Sequence, residues 1–257
     1  MGKPTVGIFG LTGCAGDQLV VLNCEDQLLD LVALLDIRDF LTASSTGDRT
    51  GPLDIALVEG AVVSARDEAA LRDIRNRSAL LVAIGTCAVW GGIPAMDRGV
   101  DAARLMTDLY GPVGAEYDRQ PARALHEIVP VDHAITGCPI EQAEFLSAIS
   151  CLLDGNAPVQ RPYAVCVECK MRECACLLTS GRAACLGPVT QAGCNARCPA
   201  LGVPCIGCRG PVDDANMASA VAAYGEHVGV GIAAMQRRLA TFAPAGSAGE
   251  GRGEEPR

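Results

Sequence analysis

The chain has 257 residues, 49% hydrophobic and 20% charged, with 30 acidic and 21 basic side chains and a formal charge of −9. That length can bury a sizeable core in one large domain or two small ones, and the composition is globular rather than disordered. An acidic chain with only 4% aromatics excludes phosphate-backbone binding and base stacking as its main task, so no nucleic-acid partner is expected.

In chain order, Pro4–Phe9 reads as a strand and Asp17–Leu35 as a helix, with Leu19, Val20, Leu22, Leu28, Leu29, Val32 and Leu35 at roughly helical spacing. Asp54–Glu59 reads as a second, buried strand and Asp67–Arg75 as a helix. Ala79–Ile84 is a third strand, Val100–Tyr110 a helix, Val129–Thr136 a fourth strand and Glu141–Leu153 a helix stopped near Gly155. Buried strands alternating with helices predict an α/β fold, a flavodoxin-like doubly wound parallel sheet over residues 1–157. Ligands of such sheets bind beyond the carboxyl ends of the strands. Three loops there carry a cysteine: Cys14, Cys87 and Cys138.

After Pro158 the periodicity fades and Cys, Gly and Pro accumulate. Residues 158–243 read as a cysteine-rich domain of little regular structure, one that apolar side chains alone cannot hold together. Asp213–Phe242 is Ala-rich and helical with a break near Gly225–Gly231, and Pro244–Arg257 reads as a disordered tail.

Neither a signal peptide nor a lipoprotein signal is expected at the N-terminus, because Gly7 and Gly10 break the only apolar run. Ser78–Met96 has no charge but contains Gly85, Gly91, Gly92 and Pro94, and reads as a buried strand plus a loop rather than a membrane span. A cytoplasmic location follows, where dense cysteines favour metal or redox chemistry over disulfides.

Nine of the 14 cysteines fall between Cys166 and Cys208. Cys166-x-x-Cys169 opens the run and Cys205-x-x-Cys208 closes it, with Cys174, Cys176, Cys185, Cys194 and Cys198 between. A C-x-x-C pair brings two thiolates to one metal centre, and soft thiolates select zinc or iron–sulfur clusters. Zinc would make the segment a structural ribbon. Iron–sulfur is favoured because no histidine lies in the segment, because Cys138 and Cys198 each precede a proline, and because a separate cysteine set waits in the first domain. That set sits in the Gly-containing stretches Thr12–Asp17, Gly85–Cys87 and Thr136–Pro139, where glycine lets backbone approach a bulky inorganic core. Cys24 and Cys151 fall inside predicted helices and read as core thiols, and Cys174 as a spare. Trp90, beside Cys87, suits either the core or a partner interface. Glu59 and Glu141 are not read as catalytic. The glycines of 7–16 fit no nucleotide-binding fingerprint.

The motifs LTGCAGD (11–17), GTCAVWGGIP (85–94), TGCPIE (136–141), CVECK (166–170), CLGP (185–188) and PCIGCRGP (204–211) occur in one order over most of the chain. Together they resemble the small, electron-transferring subunit of nickel–iron hydrogenases, above all cytoplasmic kinds such as methyl-viologen-reducing (F420-nonreducing) hydrogenases and sulfhydrogenases. The resemblance implies three 4Fe-4S clusters. The proximal one would use Cys14, Cys87 and Cys138, with Asp17 where the family has a fourth cysteine. The distal one would use Cys166, Cys169, Cys176 and Cys185. The medial one would use Cys194, Cys198, Cys205 and Cys208, Cys194 making it a four-iron centre. Asp17 is either an oxygen ligand or a cap for the helix that follows. The resemblance also implies a large subunit bearing the nickel–iron site and an electron-acceptor subunit or ferredoxin-like partner. The rival readings are a complex I-related cluster subunit and a zinc-stapled adaptor.

Overall fold

In the computed structural model, residues 2–48, 50–96 and 100–243 are described. The tail expected at Pro244–Arg257 lies outside them. The chain divides into two compact units at Pro158.

The first unit is a five-stranded parallel sheet in the order β2-β1-β3-β4-β5. Its strands are β1 (Thr5–Gly10), β2 (Asp36–Phe40), β3 (Leu53–Glu59), β4 (Ser78–Ile84) and β5 (His133–Ile135). The order is flavodoxin-like, and the chain reverses direction across the sheet between β1 and β3. The central strand β3 is buried along almost its whole length, which is why it reads as one apolar run. One face packs Val6, Ile8, Ile55 and Leu57 under helices that supply Val21, Phe145 and Ile149. The other packs Ala56, Val58, Leu81 and Ala83 against Leu71, Ile74 and Val89.

The expected helix 17–35 is two helices, α1 (Gly16–Leu22) and α2 (Glu25–Leu34). Cys24 stands at the break as the first residue capping α2, fully buried, with its thiol donating to the Val20 carbonyl at 3.4 Å. It is a core thiol, but not one inside a helix. Strand β2 was not expected. It is an edge strand, DIRDF, whose Arg38 and Asp36 pair in solvent, so no apolar run marks it. Helix α3 (Ala65–Arg77) starts at Ser64, whose hydroxyl accepts from the Asp67 N–H.

After β4 the chain forms helix α4 (Gly85–Trp90), not the expected loop. Helix α5 (Ala102–Tyr110) is capped by Asp101. Strand β5 is shorter than the expected 129–136, because Leu125–Glu127 forms a 3₁₀ turn and Pro130 has no N–H to give a ladder. Helix α6 (Gln142–Leu153) ends before Gly155, which takes φ 72°. Cys151, on α6, is only half-buried, so its reading as a core thiol holds in part.

The second unit contains helices α7 (Val165–Met171), α8 (Arg197–Ala200), α9 (Met217–Val228) and α10 (Ile232–Leu239). The break between the last two falls at Gly229, while Gly225 lies within α9. These helices lend the cysteine-rich segment an apolar core: Ala220, Tyr224 and Met235 pack with Val165, Leu186, Val189, Cys185 and Cys205. Among the described residues no helix is long and apolar enough to cross a membrane.

Candidate metal centres

The carboxyl edge of the sheet assembles the first site. The loop after β1 carries Cys14, the helix after β4 carries Cys87, and the loop after β5 carries Cys138. Cys87 therefore rides on a helix, contrary to the loop expected for it. The Leu11 N–H donates to the Glu59 carbonyl at 2.8 Å, and Thr12 and Ala61 exchange backbone hydrogen bonds. The Thr86 N–H donates to the Gly137 carbonyl at 2.7 Å, and the Gly137 N–H returns a bond to the Thr86 hydroxyl at 3.1 Å. This latch joins the residues just before Cys87 and Cys138.

Small residues keep space open around the thiols. A Cβ on Gly92 would stand 2.8 Å from Cys87 Sγ, and one on Gly16 would stand 3.1 Å from Cys14 Sγ. Cys14 is exposed, while Cys87 and Cys138 are partly buried. Burial pushes the Cys87 thiol up to about 11; an N–H bond from Ile93 opposes this, and negative charge at Asp17, Cys14 and Glu59 adds to it. A cationic group in that space would reverse the balance and hold thiolates.

Asp17 lies in the first turn of α1 and is 5% exposed. It does not cap α1: Ala15, with φ 60°, is the capping residue, and no side chain caps the helix. Instead Asp17 Oδ1 accepts the Ile140 N–H at 2.7 Å, tying the Cys14 loop to the Cys138 loop. Burial raises its carboxyl to about 7, against the pull of the Ile140 N–H and with help from Glu59. Glu59 is 1% exposed; its Oε2 accepts from the Gln18 N–H at 3.1 Å and from Gln18 Nε2 at 3.0 Å, and its buried Oε1 has no hydrogen-bond partner among the described residues. The sequence marked Glu59 only as a strand end. Trp90 packs against the core under β3 and β4.

The second unit brings Cys166, Cys169, Cys176 and Cys185 around one small pocket, closed by Gly187 and Pro188. Cys166 and Cys169 lie one turn apart on α7, and a Cβ on Gly187 would stand 3.3 Å from Cys166 Sγ and 3.5 Å from Cys185 Sγ. Burial first, then the neighbouring thiols Cys185, Cys169 and Cys176, raise the Cys166 thiol to about 11. Cys176, the exposed member, moves the other way because Thr179 and backbone N–H groups bond its sulfur. Cys174 does not line the pocket, although it neighbours Cys169.

Of the remaining four, Cys205 is buried beside Cys185 and Cys208, and its N–H donates to Cys185 Sγ at 3.2 Å. Burial raises the Cys205 thiol to about 12. Cys194 is bonded by the Arg197 and Ala196 N–H groups, and Cys198 lies on α8. Among the described residues, no three His, Cys, Asp or Glu side chains crowd one point as ligands of a single ion would. Thiolates sharing one zinc stand about 3.8 Å apart at ~2.3 Å bonds, whereas thiolates on separate irons of a cluster stand further apart.

Residues 14–152 match the family model described as NADH ubiquinone oxidoreductase, 20 Kd subunit. The chain is 42% identical over 213 residues to sulfhydrogenase 2 subunit delta of Pyrococcus furiosus, covering 82% of this chain and 88% of that protein. It is 30% identical over 255 residues to a vhu-type F420-non-reducing hydrogenase subunit of Methanocaldococcus jannaschii, covering 86% and 88%. Among solved structures, a chain of an NAD+-reducing NiFe-hydrogenase in the H2-reduced state matches at 29% identity and TM-score 0.56, over 61% of this chain and 94% of that one. A NiFeSe hydrogenase chain from Desulfovibrio vulgaris Hildenborough matches at TM-score 0.58 over 82% and 94%; at 18% identity it speaks for the fold alone. The chain belongs to the NADH ubiquinone oxidoreductase 20 Kd subunit family and, within it, to the small subunits of nickel–iron hydrogenases.

Proposed function

We propose that this chain relays electrons through three 4Fe-4S clusters, between a nickel–iron site in a partner large subunit and an acceptor subunit or ferredoxin-like carrier. The reaction served is H2 ⇌ 2 H⁺ + 2 e⁻, with the H–H bond broken in the partner. The observation that carries this reading is the pocket ringed by Cys166, Cys169, Cys176 and Cys185, four thiols of one unit around one space that Gly187 leaves open. The bound clusters would supply one-electron redox chemistry. The chain's part is to hold sulfur in place, to bond it with N–H groups as Cys205 does to Cys185, and to limit water. The cysteine-rich unit extends past the family match at residue 152, which favours a multi-cluster hydrogenase subunit over a single-cluster relative from complex I.

In this reading the proximal cluster takes Cys14, Cys87, Cys138 and Asp17, the distal one Cys166, Cys169, Cys176 and Cys185, and the medial one Cys194, Cys198, Cys205 and Cys208. The Ile140 N–H fixes one oxygen of Asp17 and orients the carboxylate, which suits a harder fourth ligand. Anaerobic purification with the large subunit, followed by iron, sulfide and zinc analysis, tests the whole. Three four-iron clusters require about twelve irons per chain with matching sulfide. Zinc without sulfide overturns the relay. Asp17→Cys tests the ligand: an unchanged spectrum and potential of the reduced proximal cluster would count against oxygen ligation.

A further inference from the structure

Glu168 sits between Cys166 and Cys169 on α7, yet only 6% of it is exposed. Its carboxylate faces another part of the same unit. Oε1 accepts the Gly193 N–H at 2.9 Å and Oε2 accepts the Ala196 N–H at 3.1 Å. The Arg161 guanidinium stands 3.6 Å from Oε1. The two N–H groups bracket Cys194.

The segment they hold is an unfavourable one. Gly193 has φ 135°, and Asn195 and Ala196 are successive non-glycine residues at φ 53° and 46°. A left-handed pair of this kind persists only where its surroundings dictate it. Glu168 supplies two anchors, and the Arg172 guanidinium adds a third by donating to the Asn195 carbonyl at 2.9 Å. The same turn aims the Ala196 and Arg197 N–H groups at Cys194 sulfur.

We propose that Glu168 is a positioning residue for Cys194: from the helix bearing Cys166 and Cys169 of one thiolate set, it fixes the loop that presents the fourth thiolate of the other. This rests on reading both sets as cluster ligands. With Cys194 in place the second set holds four irons; with the loop released, three thiolates remain and favour a three-iron centre. Glu168 touches no cluster itself.

The test uses the complex with its large subunit, purified anaerobically, carrying Glu168→Ala, Glu168→Gln, Cys194→Ala or Glu168→Ala with Cys194→Ala. Iron per chain, the paramagnetic signal of an oxidised three-iron cluster, and amide exchange at residues 193–196 are measured. Glu168→Ala and Cys194→Ala should each lose about one iron per chain and give the same three-iron signal. The double variant should match either single. Exchange at Gly193 and Ala196 should rise at least about tenfold in Glu168→Ala. Glu168→Gln keeps one acceptor oxygen and should fall between; it decides the matter on the same readouts if Glu168→Ala does not assemble. Full iron without the signal, unchanged exchange, or loss of about four irons without a three-iron signal would overturn the assignment. Failure of the underlying reading looks different: the unaltered complex would lack iron and sulfide, or Cys194→Ala would change neither iron nor spectrum.

Discussion

Replacing Gly85 by alanine tests the logic of the first site most directly. Gly85 begins α4 at φ 82°, and a Cβ there would fall well inside contact with Asp17 Oδ2. A side chain in the left-handed region costs about 1–2 kcal/mol. Displacing Asp17 also strips the buried Ile140 N–H of its acceptor, for about 1–3 kcal/mol more. The sum is roughly 2–5 kcal/mol, a large share of a typical domain's stability. Native-state hydrogen exchange at the Ile140 amide reads the local loss, and urea unfolding reads the global one. Gly85→Ala combined with Asp17→Ala should cost less than the two singles added, because the Ile140 hydrogen bond is lost in each single but only once in the pair. A Gly85→Ala shift below about 0.5 kcal/mol, or strict additivity of the pair, would refute this account of the crowding.

Thr86→Val removes the hydroxyl that accepts the Gly137 N–H, and should destabilise the site loops by about 1–3 kcal/mol, visible as faster exchange at Gly137. Glu59→Gln takes a negative charge from beside Asp17, so in the cluster-free chain the Asp17 carboxyl, raised to about 7, should titrate lower in a carboxyl infrared or ¹³C NMR experiment. Because the fold raises this pKa, the contribution of Asp17 to stability is complete below its ordinary value of 3.8 and is lost as pH rises through about 7. In Glu59→Gln that loss should come at lower pH. Glu68 runs the opposite way: hydrogen bonds from Arg123 and Arg72 hold its carboxyl below the usual range. Its contribution is present above the ordinary value and lost as pH falls through the depressed one, so Arg123→Ala should move the Glu68 titration upward in ¹³C NMR.

Much of this architecture is legible from residues alone, for definite reasons. Strand β3 is buried on both faces from Ile55 to Val58 and apolar over that run, and the cysteines at the carboxyl edge sit in motifs that fix their order. What escapes is what carries no periodic or compositional mark. Strand β2 is polar because it lies at the sheet edge, and the break at Cys24 hides in a continuing helical pattern. Cys87 rides a helix because Gly85 turns the chain into α4 at once. Asp17 neither caps α1 nor stands alone; its partner is the backbone of Ile140, far away in sequence. Glu59, at a strand end, and Glu168, inside the CVECK motif, look like ordinary charges, and only their burial and long-range N–H partners reveal them.

The two units differ in how far apart along the chain their cysteines lie, and this bears on maturation. The first site joins residues 14 and 138, a separation of 138 − 14 = 124, and takes shape only once β1, β4 and β5 are assembled around β3 in one sheet. The pocket of the second unit spans residues 166 to 185, a separation of 19. Closing a short loop is entropically cheap, and local contacts form early. Metal and sulfide delivered to a nascent chain would therefore meet the short-range set as a folding nucleus, and the long-range set as a late receptor that exists only after the sheet has closed.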